Sequence, residues 1–170
     1  MNPSDYNLPH ESWRKYQEES IDWILSDGPR IRLAQMPTGS GKSANCAALG
    51  SNNRSVESLT VTKSLQDQYK LYGFEVLKGM ANYDCSYNPF LKADSCVFDK
   101  MYDCPVSDQC AYLIQRKRFR ESDRRSLNYF YFLLCDWMRD HQTNWLVCDE
   151  GPNLPSVITS YLLALIRQTI

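Results

Sequence analysis

Residues 36–43, MPTGSGKS, place two glycines, a lysine and a serine in one short stretch. The stretch fits the pattern G-x-x-x-x-G-K-[ST], except that Met36 stands at the first glycine position. Gly39 and Gly41 allow a tight turn whose backbone N–H groups can face phosphate oxygens. Lys42 would reach the outer phosphates of a nucleotide and Ser43 would bind magnesium, although a flexible turn that merely contains lysine is the alternative. The predicted nucleotide-binding loop consists of Pro37, Thr38, Gly39, Ser40, Gly41, Lys42 and Ser43.

A pair of acidic residues follows an apolar run further along the chain. The stretch WLVCDEGP, residues 145–152, is typical of a buried strand that ends in Asp149 and Glu150. Carboxylates at the carboxyl end of a strand lie where open α/β sheets bind ligands. Asp149 would hold magnesium through water, and Glu150 would orient or deprotonate an attacking water. A solvated strand end is the alternative, and the preceding phosphate-loop pattern favours the chemical interpretation.

Four of the seven cysteines lie in a polar segment with the spacing C-x10-C-x7-C-x5-C. Clustered cysteines of a reducing compartment bind metal or do redox chemistry more often than they form disulfides. Structural zinc sites usually contain C-x2-4-C pairs, and this segment has none. Four thiolates on long irregular loops favour a [4Fe–4S] cluster, with zinc as the alternative. The candidate ligands are Cys85, Cys96, Cys104 and Cys110.

Composition indicates a folded domain without a general affinity for polyanions. Of the 170 residues, 43% are hydrophobic and 23% are charged, and the net charge is -1. Any nucleic-acid contact therefore needs a local basic patch. The polar N-terminus lacks the apolar core of a secretory signal, and the apolar run at 156–166 is too short to span a bilayer. We expect a cytoplasmic protein without membrane contact.

Alternating strand and helix patterns must position these residues. Strands are predicted at 31–36, 59–62 and 144–150, and helices at 11–25, 42–49, 64–72 and over most of 111–140, with loops at 83–110. This alternation predicts an α/β fold with a parallel sheet covered by helices. Cys46, Cys135 and Cys148 lie in apolar patterns and are predicted core residues.

The motifs follow one another in an order that resembles the first motor domain of the XPD/DinG family, the iron–sulfur DNA helicases of superfamily 2. The resemblance covers nearly the whole chain. The matching stretches are RKYQ at 14–17, MPTGSGKS, VTKSLQDQY at 61–69, KGMANYDC at 78–85, three further cysteines, LNYFYFLL at 127–134 and VCDEGPNL at 147–154.

The resemblance implies a RecA-like parallel sheet flanked by helices and interrupted by a cysteine-rich iron–sulfur insertion. It divides the chain into a first motor part at 1–82, an insertion at 83–112 and a return to the motor domain at 113–170. The four cysteines of the insertion would ligate a [4Fe–4S] cluster. Arg14 and Gln17 match the family's adenine-reading element, Lys42 and Glu150 match its catalytic residues, and ATP with Mg²⁺ is the implied substrate.

Single-stranded DNA, or a junction of single strand and duplex, is the implied partner. Thr62, Lys63 and Gln66 match the segment that contacts the DNA backbone in such motors. The basic run QRKRFRESDRR, residues 115–125, follows the last cysteine, where the family passes a separated strand. Its cations cannot all share one helix face, so a solvated helix is the alternative. The basic candidates are Arg116, Lys117, Arg118, Arg120, Arg124 and Arg125.

Departures from the family pattern bear on activity. Gly151 and Pro152 replace the usual Ala-His after the two acids, which puts the coupling of hydrolysis to movement in question. The family's second motor domain, which completes the ATP site with an arginine, is not part of the 170 residues. We expect 5′-to-3′ movement on DNA only when that domain, or another chain supplying it, is present. A non-catalytic DNA-binding or regulatory fragment is the alternative function.

Overall fold

The computed structural model describes residues 2–98, 100–134 and 142–160, and the strands in these ranges form one parallel sheet. The strands are Val56–Thr60 (β1), Glu75–Leu77 (β2), Arg124–Asn128 (β3) and Trp145–Cys148 (β4). They lie in the order β2-β3-β1-β4, and every neighbouring pair is parallel. The predicted α/β class with a parallel sheet is therefore confirmed.

Helices connect the strands and cover the sheet. They are Gln17–Leu25 (α1), Lys42–Leu49 (α2), Lys63–Lys70 (α3), Ala111–Glu121 (α4) and Tyr129–Leu134 (α5), and residues 154–160 are also helical. The cysteine-rich segment between β2 and α4 consists of loops and short 3-10 turns, as predicted. Each parallel strand pair thus has a long connection, which parallel pairing requires.

Two groups of buried apolar residues pack against the sheet. Val56 belongs to the group formed with α1, α2 and α3, whereas Leu59 belongs to the group formed with α4 and α5. Residues three apart on a strand point to opposite faces, so the two groups lie on opposite sides of the sheet. The core therefore has the layered form typical of α/β domains.

The predicted strand at 31–36 is not formed. Ile31 and Leu33 are 81% and 92% exposed, and the segment has no regular structure. The guanidinium of Arg32 donates hydrogen bonds to the carbonyl oxygens of Trp23 and Ser26 at the end of α1. These contacts satisfy carbonyls that the end of a helix leaves unpaired, and they hold the segment against α1.

Several element boundaries differ from the sequence prediction. The structure begins α1 at Gln17 rather than at residue 11, and β1 begins three residues earlier than the predicted strand. The predicted long helix after the cysteines ends at Glu121 and is followed by β3, which the sequence pattern missed. Polar residues dominate β3, with the sequence RRSLN, so its apolar alternation was too weak to recognise. The strand β2 was also missed, because its three residues are too few to show an alternating pattern.

The three predicted core cysteines have different outcomes. Cys46 is buried in α2, as predicted. Cys148 is exposed because β4 is the last strand of the sheet on its side, so the prediction of a core position was wrong. Cys135 lies outside the described residues.

In the described ranges, every helix is too short or too polar to cross a membrane.

Candidate nucleotide and metal sites

The predicted phosphate loop has the backbone that its glycines were expected to permit. Gly39 and Gly41 have φ angles of 79° and 87°, in the left-handed region that other residues rarely adopt. The helix α2 begins immediately afterwards, at Lys42. The Nζ atom of Lys42 lies 3.3 Å from the carbonyl oxygens of both Met36 and Pro37, so the lysine folds back over its own loop. The loop thus leads directly into α2, and the ammonium group lies against the carbonyl oxygens at the start of the loop.

The structure brings Arg14 and Gln17 onto this loop. The side-chain amide of Gln17 donates to the carbonyl oxygen of Gly41 at 3.1 Å, and the guanidinium of Arg14 donates to that of Gly39. The backbone N–H of Arg14 in turn donates to the Gln17 side-chain oxygen at 2.7 Å. Gln17 is buried, and a Cβ atom at Gly41 would lie 2.1 Å from its amide nitrogen. Only glycine therefore fits at residue 41 without displacing Gln17.

The remaining loop residues line the same turn. Pro37 and Thr38 are exposed, and Ser43 is half-buried in the first turn of α2. The backbone N–H of Ser40 donates to the Pro37 carbonyl at 3.2 Å. In the described part of the chain, the buried Ser40 hydroxyl has no hydrogen-bond partner.

Four hydrogen bonds fix Asp149 at the carboxyl end of β4. Its N–H donates to the Leu59 carbonyl at 3.0 Å, and its own carbonyl accepts from the Tyr129 hydroxyl at 2.7 Å. The Oδ2 atom accepts from the Tyr69 hydroxyl at 3.0 Å, and Oδ1 accepts from the Glu150 N–H at 3.0 Å. The carboxylate therefore has a defined orientation at the end of the sheet, as the sequence predicted for this strand end.

Glu150 has an unusual backbone conformation. Its φ of 55° lies in the left-handed region, which costs a residue with a Cβ atom about 1 kcal/mol or more. The side chain is exposed and accepts a hydrogen bond from the Asn153 amide at 3.4 Å. Gly151 and Pro152 follow in a 3-10 turn. The turn directs the chain away from β4 immediately after the two acids.

Cys46 connects the helix after the phosphate loop with Asp149. Burial raises the pKa of the Cys46 thiol to about 12, and the charge of Asp149 contributes to the increase. The same thiol interacts with the hydroxyl of Tyr69, which is bound to Asp149. The helix α2 and the end of β4 are therefore neighbours around these two side chains.

The four predicted cysteine ligands line one cavity. The rest of its wall consists of Ser86, Tyr87, Ala93, Met101 and Val106, which is mostly apolar. Three of the cysteines stand directly after 3-10 turns, at Ala93–Ser95, Met101–Asp103 and Ser107–Gln109. This repeated turn brings residues that are far apart in sequence to the same cavity wall. The cysteines concerned are Cys96, Cys104 and Cys110.

Cys85, the fourth cysteine, has a backbone donor on its sulfur. The Asn88 N–H lies 3.4 Å from the Cys85 Sγ atom, and the Cys85 N–H donates to the Leu91 carbonyl at 3.0 Å. An ion pair between Lys92 and Asp84 closes the same loop. Hydrogen bonds to sulfur stabilise thiolate charge, which metal ligation requires.

Within the described ranges, no three His, Cys, Asp or Glu side chains converge closely enough to hold a single metal ion. The four cysteines share one cavity wall, and four thiolates are the ligands that a [4Fe–4S] cluster takes.

The predicted DNA contacts of α3 separate into two groups. Thr62 and Lys63 are exposed at the start of the helix, where the Thr62 hydroxyl accepts from the Leu65 N–H at 3.3 Å. Gln66 is fully buried, and its amide donates to the Leu77 carbonyl at 3.2 Å. The structure therefore places Gln66 in the core, out of reach of a DNA strand.

The basic run after the last cysteine is also divided. Lys117, Arg118 and Arg120 are exposed on α4, and Arg116 is half-buried on the same helix. Arg124 and Arg125 belong to β3 instead and are directed into the protein. Of this run, only the cations of α4 are therefore placed to form an exposed basic patch.

Sequence reasoning missed the two tyrosines that hold Asp149. Tyr69 and Tyr129 are buried, at 1% and 2% exposure, and each occupies an apolar position of a helix. Their positions predict core packing, and no local pattern shows where the hydroxyl groups point. Only the pairing of β1 with β4, which ends with the Asp149 N–H donating to the Leu59 carbonyl, brings them to this carboxylate.

No protein-family model, curated protein or solved structure matches the chain.

Proposed function

We propose that this chain is the ATP-binding first motor domain of an iron–sulfur DNA helicase, which uses ATP hydrolysis to move along single-stranded DNA. The observation that carries the proposal is the arrangement of all four clustered cysteines around one cavity. A phosphate-loop pattern and a strand ending in Asp-Glu occur in many ATPases. Far fewer ATPases have a cavity lined by four cysteines that lie between these two motifs in the sequence.

The proposed fold is RecA-like in its detail. The parallel sheet supports this assignment, and β4 lies at one end of the sheet with Leu146 47% exposed. The helix α2, which begins at the proposed phosphate loop, packs against Val56 of β1.

The residues of the nucleotide site then have separate roles. Backbone N–H groups of the loop and Lys42 bind the phosphates, and Ser43 and Asp149 hold Mg²⁺ between them. Glu150 orients the attacking water and accepts its proton. Gln17 and Arg14, which contact Gly41 and Gly39, would read the adenine base from beside the loop.

The cysteine cavity would hold the [4Fe–4S] cluster. Cys85, Cys96, Cys104 and Cys110 supply the four thiolates, and the apolar wall limits access of water. When bound, the cluster supplies four metal–thiolate bonds that cross-link the insertion, together with a redox-active centre. Reduced thiolates on a loop-rich segment belong to a cytoplasmic environment, which we include in the proposal.

The proposed DNA path includes the start of α3 and the exposed face of α4. Thr62 and Lys63 would contact phosphates without reading sequence, and Lys117, Arg118 and Arg120 would provide a local positive field. The helix α4 begins directly after Cys110, and its exposed cations lie about two to three turns further along the helix.

The first test is ATP binding in the presence of Mg²⁺, measured by calorimetry on wild type, Lys42→Ala and Lys70→Ala. Lys70 is a suitable control because it is exposed on α3 and pairs only with Asp67 among the ion pairs of the described residues. We expect Lys42→Ala to weaken binding at least about tenfold, the equivalent of 1.4 kcal/mol. The Lys70→Ala control should bind as wild type does. Equal binding by all three proteins would contradict a phosphate role for Lys42.

A non-catalytic DNA-binding fragment is the second candidate. The Gly151-Pro152 turn after the acids favours it, since neither residue offers a side-chain donor to link the ATP site to other motor elements. Hydrolysis of ATP that single-stranded DNA stimulates supports the motor. DNA binding that is indifferent to ATP and to Lys42→Ala supports the fragment.

A further inference from the structure

We infer that Tyr69 is a positioning residue for the magnesium-binding carboxylate of Asp149, and that it connects this carboxylate to the DNA-facing helix α3. The inference rests on the proposed nucleotide site. It concerns a residue that neither the phosphate loop nor the Asp-Glu pair contains.

The geometry leaves the Asp149 carboxylate little rotational freedom. The Tyr69 hydroxyl lies 3.0 Å from Oδ2, and the Glu150 N–H lies 3.0 Å from Oδ1. The Glu150 bond is local and does not by itself fix the direction of the carboxylate relative to the sheet. The Tyr69 bond joins residues 80 positions apart, so it sets this direction from a separate element.

The Tyr69 side chain is itself firmly held. It is 1% exposed, and its ring packs edge-on against Phe74 with the ring centroids 4.8 Å apart. The hydroxyl is therefore held in one place, where it donates to the carboxylate. A rigid neutral donor of this kind orients a metal ligand without taking part in the reaction.

The position of Tyr69 on α3 gives the contact a second consequence. Lys63 begins the same helix, and Thr62 caps it. A strand of DNA bound at the start of α3 would therefore contact the same helix that carries Tyr69. Tyr69 lies six residues after Lys63 and contacts Asp149. This is a direct physical connection between the two proposed binding sites, through one short helix.

The test compares wild type, Tyr69→Phe and Tyr83→Phe by calorimetric titration with ATP at a series of Mg²⁺ concentrations. Tyr69→Phe keeps the ring and removes only the donor. Tyr83→Phe is the matched control, because its half-buried hydroxyl contacts the backbone N–H of Lys78 at 3.1 Å. We expect the Mg²⁺ concentration needed for half-maximal ATP binding to rise about tenfold in Tyr69→Phe, as losses of outer-shell partners usually cause. ATP binding without Mg²⁺ should be unchanged.

The outcomes separate the inference from the proposed function. If wild type does not bind ATP with Mg²⁺, the proposed nucleotide site fails, and the inference fails with it. If wild type binds and Tyr69→Phe has the same or a lower Mg²⁺ requirement, only the positioning role is overturned. A rise shared equally by Tyr83→Phe, or accompanied by equal weakening of Mg²⁺-free binding, would indicate a general loss of structure and would also overturn it.

Discussion

At the scale of single residues, the end of β4 combines firm support with local strain. Asp149 is held through its N–H, its carbonyl and both carboxylate oxygens. The adjacent Glu150 has a left-handed backbone and an exposed side chain. Strained backbone next to a fully supported carboxylate is typical of functional sites, where surrounding contacts maintain a conformation that is unfavourable by itself.

A buried acid away from this site makes stability depend on pH. Glu57 on β1 is 2% exposed, and its carboxylate oxygen lies 3.5 Å from the Arg125 Nε atom on β3. Burial raises the pKa of Glu57 from 4.5 to about 7, although the charge of Arg125 opposes the increase. Between these values the folded chain keeps a proton that the unfolded chain has lost. The contribution of Glu57 to the free energy of unfolding is therefore fully present below pH 4.5, and it is lost as the pH rises to about 7.

We predict that Glu57→Gln removes this dependence. The free energy of unfolding of wild type should fall by about 3 kcal/mol across this pH range relative to that of Glu57→Gln. Urea unfolding at several pH values measures the difference. Glu121→Gln, an exposed change on α4, is the control and should follow wild type. Parallel pH curves for wild type and Glu57→Gln would contradict the raised pKa.

At the scale of elements, Arg124 joins parts of the chain that are distant in sequence. Its guanidinium donates to the carbonyl oxygens of Gly50 at 3.2 Å and Tyr72 at 3.0 Å, and to the Ser51 hydroxyl at 2.7 Å. It also donates to the Tyr6 carbonyl. These partners lie after α2, after α3 and in the N-terminal segment. The Arg124 side chain, at the first residue of β3, thus holds together three segments of the chain that lie at this end of the sheet.

We predict that Arg124→Lys lowers the free energy of unfolding by about 2–3 kcal/mol, because an ammonium group cannot reproduce the planar set of donors. For a chain of this size the melting temperature should fall by about 5–10 °C. Thermal unfolding followed by circular dichroism measures it. The matched variant Arg118→Lys, on the exposed face of α4, should have the melting temperature of wild type. A wild-type melting temperature for Arg124→Lys would contradict a stabilising role for the contacts of Arg124.

Particular elements show how far sequence predicted this structure. The turn of the phosphate loop and α2 were predictable, since glycine spacing and an apolar helix pattern are local signals. The strands β2 and β3 were not, because one is three residues long and the other is mostly polar. The prediction failed at 31–36, where apolar alternation indicated a strand but Arg32 bonds to the end of α1. Whether a strand forms depends on a neighbour, which local sequence does not specify.

The candidate site follows the same rule. Residue types and their spacing suggested Lys42, Asp149 and the cysteines as candidates without knowledge of the fold. Gln66 was assigned to DNA by its place in a motif, yet helix α3 turns it into the core toward Leu77. Tyr69 could not be recognised as a site residue from sequence, since the group that its hydroxyl contacts depends on which strand ends nearby. Long-range contacts of this kind become visible only when the sheet order is known.

At the scale of the whole molecule, the chain combines a parallel sheet with a loop-rich segment between β2 and α4 that leaves much of its apolar surface exposed. Phe90, Val97 and Tyr102 in this segment are 94%, 66% and 65% exposed. Small loop-rich segments commonly need metal or disulfides for stability, because they bury too little apolar surface. The cysteine cavity lies in this segment, so a bound cluster would provide the missing cross-links.

The most direct test of the account is the iron, sulfide and zinc content of the protein purified without oxygen, together with its visible spectrum. We predict about four irons and four sulfides per chain, as a [4Fe–4S] cluster on four thiolates requires. Replacement of Cys104 by serine should reduce both, whereas the same change at the exposed Cys148 should leave them unaltered. Zinc in place of iron, in protein from cells supplied with iron, would contradict the cluster assignment and leave only the nucleotide site.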